Sequence, residues 1–249
     1  IRDQPRSRGL GDVYKRQGLI VIGILYLAVG IAFFMLLPKP KYQRQRQSGG
    51  LQLIKTFHTA LANKKLLWIY LVAFLIMGSF VAVFNFISYV LLAPPYSLSQ
   101  TVVGLLFVVY LFGTFSSTYM GRLSDQHGNG RVLILGLLIM LTGGLLTLLQ
   151  PLVFKFIGLA IFTFGMLGSH SVACGWVGKL NQGDKAQSSS MYMFFYYAGA
   201  SSLGTLGGVF LESYGWSGVI GMVATAVIIC LLVVVRLELS VSQHLLWHH

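Results

Sequence analysis

An aspartate set among glycines and arginines, in the stretch GRLSDQHGNGR at residues 121–131, is the densest group of chemically able side chains in this sequence. Gly121, Arg122, Asp125, Gly128 and Arg131 place one carboxylate within a few residues of two guanidinium groups, on a backbone whose glycines permit a sharp turn. Such a carboxylate can pair with Arg122 or Arg131, or lodge at the positive end of a neighbouring helix. A second group centres on His170, flanked by Ser169 and Ser171 with Cys174 and Trp176 beyond. An imidazole titrates near neutral pH and can relay a proton or hold an anion; equally, it can stay neutral and bond to a neighbouring helix. The third group is aromatic. Tyr192 and Tyr196 stand four residues apart, share one face of a helix, and suit a pocket for an apolar or aromatic molecule. Asn85 and Tyr89 repeat that spacing, and an amide there serves either a helix–helix hydrogen bond or a ligand contact.

The elements that must carry these groups are built for lipid. Of 249 residues, 55% are hydrophobic and 10% charged, and the mean hydropathy is +0.75. Runs long enough to cross a ~30 Å hydrocarbon core as helices are predicted at 18–37, 67–92, 101–120, 131–150, 152–177, 188–211 and 215–235. They are continuous, unlike the alternating strands of a membrane barrel, so the sequence predicts an all-α membrane protein with seven transmembrane helices. The net charge of +12 is concentrated between the runs, and basic connections alternate with bare ones. By the positive-inside rule, 38–65, 121–131, 178–187 and the C-terminus are expected in the cytoplasm. The same distribution argues against nucleic acid as a partner, since that needs a basic water-facing domain. The partner it implies is the lipid bilayer.

Residues 1–17 carry five bases on the side assigned outside. They have no apolar core and no cleavage site of a signal peptide, and are expected to be a non-native leader. Segment 38–66 reads as a basic cytoplasmic linker. Within it Leu51, Ile54, Phe57 and Leu61 recur at helical spacing, either as an amphipathic helix on the membrane surface or as an extension of the next span. Cys174 and Cys230 give neither a disulfide framework nor metal-ligand spacing. The G-x-x-x-x-G-K-[ST] phosphate loop does not occur. No cofactor, metal or catalytic residue is therefore expected, and the chain is not expected to be an enzyme.

The stretch GRLSDQHGNGRVLIL resembles the signature loop of the major facilitator superfamily, G-x-L-x-D-x-x-G-[RK]-[RK]. Gly121, Leu123, Asp125 and Gly128 match it; Asn129 and Gly130 stand where the family has bases, and Arg131 supplies one late. GSHSVACGWVG and QSSSMYMFFYYAGASSLGTLGGVFLESYGWSGV carry the resemblance further, and it covers about residues 18–237. It implies a twelve-helix secondary transporter of two six-helix halves in a bacterial inner membrane. Helix 18–37 would be the last helix of a truncated N-terminal half, 38–66 the linker, 67–237 the C-terminal six-helix bundle and 238–249 a tail. A small-molecule substrate, the missing half as partner, and efflux by proton antiport with alternating access follow as expectations. Residues 121–131 would be a conformational gate. Asn85, Tyr89, His170, Tyr192 and Tyr196 would be candidates for the substrate cavity, which such folds place between halves near the midplane. No acid falls inside a spanning core, so a coupling carboxylate is expected in the other half. Gly199, Ser202, Gly204, Gly207 and Gly208 are expected to serve close helix packing. A membrane enzyme or an anchoring protein is the competing reading; the first lacks a catalytic cluster and the second leaves the buried polar residues unexplained.

Overall fold

The computed structural model describes residues 6–36, 63–180 and 185–246. The expected linker helix around 51–61 lies outside them. Helix α1 (Arg6–Leu36) is a unit by itself. It starts at Arg6, directly after Pro5, and not at residue 18; Arg6, Arg8, Leu10, Lys15, Arg16 and Gln17 favour a helix there, against Gly9 and Gly11. Its apolar part, Ile20–Leu36, is near the lower limit for crossing a bilayer.

The second unit holds α2 (Lys64–Leu92), α3 (Gln100–Gly104), a 3-10 turn (Leu105–Val109), α4 (Tyr110–His127), α5 (Asn129–Leu146), α6 (Leu152–Leu180) and α7 (Lys185–Leu246). No strand occurs among the described residues. Helices α2, α5, α6 and α7 are each long and apolar enough to span a membrane. Asn63 starts α2 by accepting hydrogen bonds from the amides of Lys65 (3.0 Å) and Leu66 (3.4 Å).

Three predicted boundaries change. The helix expected at 101–120 is broken into α3, the 3-10 turn and α4, where Val102, Val103, Gly104, Val108 and Val109 weaken helix propensity. Helix α4 then runs on to His127, so the signature loop is mostly helix and the turn is confined to Gly128. The helices expected at 188–211 and 215–235 are one run, α7, interrupted only at Gly215 (φ 64°, ψ −157°) and continuing to Leu246.

That interruption is a hairpin. Gly199 packs against the Phe74 backbone, and the Cys230 thiol lies 4.0 Å from the Val72 carbonyl. These two positions sit 16 residues before and 15 after Gly215 yet meet the same turn of α2, so the two arms of α7 run antiparallel along it. Helix α2 is accordingly the best-buried element, with Ile69, Tyr70, Ala73, Ile76, Val83 and Ile87 sealed. Gly78 faces Leu203 and the Gly199 carbonyl, and an added Cβ at either glycine would strike the partner helix; the expected close packing of small residues is realised there. On the other side α4 is tied to α6 by hydroxyls: Ser116 donates to Phe164 O (2.5 Å) and Ser171 to Ser117 O (3.0 Å).

The Gly215 backbone lies in a region open essentially to glycine alone, so Gly215→Ala should cost about 1–3 kcal/mol. Gly175 is helical with open space around its Cβ position, and Gly175→Ala should instead be neutral or stabilise by up to ~1 kcal/mol. Thermal unfolding of the two detergent-solubilised variants checks the contrast.

Candidate functional site

Two polar clusters close the ends of the second unit, and an aromatic one lies between them. At the first end stands the signature stretch. Asp125, on the last turn of α4, meets the Lys179 amine at 3.2 Å, and the same amine donates to Asn129 Oδ1 at 3.0 Å. Asn129 Nδ2 in turn reaches Val172 O at 3.5 Å. The expected pairing of Asp125 with Arg122 or Arg131, or with a helix N-terminus, is not found among the described residues. Arg122 is exposed. Arg131 instead approaches Glu238 of α7, 3.9 Å away.

The two departures from the signature explain this rearrangement. Asn129 joins the lysine network, and Gly130 is bare because the Glu238 carboxylate occupies the place a side chain would take. The base missing from the loop is thus supplied by α6, and an acid by α7. Gly128 makes the corner with φ 91° and ψ 146°, and its amide donates to Ser124 O at 3.0 Å. Gly121, in contrast, has only ordinary contact with Ser171 and no steric need to be glycine within this unit. Asp125 and Lys179 are 73% and 55% exposed, so the pair contributes no more than about 1 kcal/mol here.

The aromatic cluster is built by the neighbours of His170. Ser169 packs beneath Gly136 of α5, and Ser171 bonds to α4. Successive helix positions are ~100° apart, so these two anchors turn His170 toward α7. There its Nδ1 lies 3.0 Å from the Tyr192 hydroxyl, which is also 3.4 Å from the His170 carbonyl. Both contacts form together when Nδ1 carries the proton and the phenol donates to the carbonyl, which leaves Nε2 as the acceptor of the ring. Tyr196 adds its ring at 4.5 Å from the imidazole and 6.4 Å from Tyr192. Tyr192 is fully buried, while His170 and Tyr196 are partly open.

His170, Tyr192 and Tyr196 are therefore brought together. Asn85 and Tyr89 do not join them: both are exposed on α2, with Asn85 beside Gly204 of α7 and Tyr89 6.2 Å from the Phe86 ring.

Sequence reasoning missed the cluster at the opposite end. Lys155, in the first turn of α6, is buried and donates to the carbonyl of Thr147, the C-cap of α5. Trp216, next to the α7 turn, donates to the same carbonyl (3.2 Å) and to Thr147 Oγ1 (3.1 Å). The Tyr96 ring lies 5.8 Å from the amine, and its hydroxyl bonds to Gln150 O. A cation at the negative end of α5 is favourably placed. The available signal was a single base inside the apolar run 152–177, which marks an intramembrane ionisable residue and not a loop charge. Among the described residues no group of three or more His, Cys, Asp or Glu could hold a metal.

A bundle of membrane-length helices with this signature turn defines an integral, multi-pass membrane protein, and the chain belongs to the major facilitator superfamily, whose family model matches residues 78–245. It is 42% identical over 84% of its length to the uncharacterised MFS-type transporter YybF of Bacillus subtilis (strain 168), covering 52% of that protein. To the inner membrane transport protein YnfM of Escherichia coli (strain K12) it is 40% identical over 90% of its length, covering 54%. The chain thus spans about half the length of these relatives, which are named as transporters. In fold it is similar to the E. coli fucose:proton symporter FucP, with a TM-score of 0.66 at 15% identity over 88% of this chain and 54% of that one.

Tyr192→Phe keeps the buried ring but strips Nδ1 of its partner. The variant should lose about 1–3 kcal/mol of stability, whereas Tyr89→Phe, at an exposed ring, should stay within ~0.5 kcal/mol. Thermal unfolding in detergent reads both.

Proposed function

We propose that this chain forms one half of a secondary active transporter that moves a small molecule across a bacterial inner membrane by alternating access. In this reading the process is efflux by proton antiport, the C-terminus is cytoplasmic, and a second six-helix half completes the cavity. The carrying observation is the contact of Asp125 and Asn129 with Lys179, which ties the α4–α5 turn to the end of α6. A surface pair of this size is weak enough to break and re-form as two halves rock, and so to bias one access state over the other.

The cluster of His170, Tyr192 and Tyr196 is the substrate-contact candidate in this half. Tyr196, partly open, offers an aromatic face backed by the buried Tyr192, and the Nε2 acceptor offers one directed hydrogen bond or a place for a proton. Such a site suits a largely apolar molecule with one donor group. Proton coupling rests on this imidazole together with the family resemblance; the direction of transport rests on the resemblance alone. Asn85 and Tyr89 contribute from α2 only if the other half closes over that exposed face.

The test uses the full-length transporter with Cys174 and Cys230 replaced, and single cysteines placed along the α7 wall. Asp125→Asn and Lys179→Gln should each shift cysteine accessibility by up to about fivefold, the equivalent of ~1 kcal/mol. The double variant should shift it no further than the stronger single one, because both remove the same contact. If neither substitution alters labelling or transport rate, the network is an ordinary turn and the reading loses its support.

A further inference from the structure

A groove of about 430 Å3 opens between the two arms of α7, backed by Leu75 of α2. Leu203 and Phe210 wall it on one arm, and Met222, Ala226 and Ile229 on the other. The Thr225 hydroxyl in the wall is already spent within its helix, donating to Gly221 O at 2.9 Å. Gly221 is bare, with no atom within 4 Å of where its Cβ would be. We propose that this groove seats one acyl chain of a bilayer lipid from the leaflet on the Gly215 side.

Three observations choose that occupant. The first is length. From Gly218 to Ile229 the wall rises roughly 16 Å at ~1.5 Å per residue, and one leaflet of a ~30 Å hydrocarbon core is about 15 Å deep. The second is depth in the membrane. The groove begins beside the turn, where exposed Tyr214 lines its mouth and Trp216 follows; aromatic residues of this type favour the headgroup level. The third is continuity with exposed, largely apolar surface. Gly221, Thr225, Ile228, Leu232, Val235 and Leu239 form an exposed stripe at helical spacing along the same arm. Water is a poor filler, since a buried water needs two to four polar partners and this wall has none to spare. An empty groove would forfeit the dispersion contacts of its lining. Hydrocarbon is left, and the bilayer supplies it at the mouth.

The full-length protein is reconstituted into phosphatidylethanolamine–phosphatidylglycerol vesicles containing a trace of phospholipid with a mid-chain diazirine, and adducts are mapped by peptide mass spectrometry after illumination. Adducts should be enriched at Leu203, Met222 and Ile229 over Leu138 and Leu145, which are exposed on α5 and lie outside the groove. Gly221→Leu fills the groove from within and should reduce the groove adducts several-fold while leaving those on α5 unchanged. Ile229→Trp, placed at the deep end, should do the same, and matching melting temperatures of wild type and variants report intact folds. Adducts spread evenly over groove and α5, or unaffected by both substitutions, overturn the proposal. So does an absent lipid adduct in a protein that binds Nile red in the groove and loses that binding in both variants, which would make it a small-molecule site.

Discussion

In hydrocarbon a polar group has no water to fall back on, and it gains by finding a partner inside the protein; among the described residues the buried hydroxyls of Ser79, Thr163 and Ser169 go without one. That gain organises the second unit. Ser116 and Ser171 spend their hydroxyls on carbonyls of the facing helix and so join α4 to α6. Tyr192 answers His170, and the buried amine of Lys155 takes the carbonyl left open where α5 ends. Each bond is a local satisfaction of one group, yet each also runs between helices, and together they set which faces meet. The apolar side chains then fill the remaining space around α2, and bare glycines let its backbone approach that of α7.

The two ends of the unit solve the same problem with different strength. Around Thr147 one donor, Lys155, is buried and the other, Trp216, is half-buried; they share one carbonyl beside an aromatic ring, so the ends of α5, α6 and the α7 turn are held as a block. Around Asp125 the groups are charged and exposed, and water competes for every one of them. One end is therefore stiff and the other labile. The proposed alternating-access cycle would use that asymmetry: a firm pivot and a contact that can be given up. The His170 cluster lies along the helices that connect the two.

Most of the architecture was legible because continuous apolar runs leave few options for a backbone in lipid. The spans of α2, α5 and α6 emerge from hydropathy to within a few residues. What sequence could not show was the sharing of partners between distant segments. Asp125 is expected from sequence to pair with Arg122 or Arg131 or to sit at a helix N-terminus, but Arg131 approaches Glu238 and Lys179, 54 residues on, meets the carboxylate. Asn129 and Gly130 looked like lapses from a motif; they are fitted to Lys179 and to Glu238, neither of which belongs to the motif. Tyr192 and Tyr196 were recognised from their spacing, and His170 from its chemistry, but their meeting depends on how Ser169 and Ser171 orient α6, which no local pattern encodes. Lys155 is hard to place from sequence because one base near a helix start looks the same whether it faces water or a neighbouring helix end.

The turn at Gly215 leaves almost no chain outside the helices that it joins. A connection of one residue cannot wait on the far side of a membrane while its second helix is threaded separately. The two arms of α7 are thus held as a paired hairpin, with both open ends on the side opposite the turn. On the side where that turn emerges, this corner of the molecule presents little for a protease to cut or an antibody to grip.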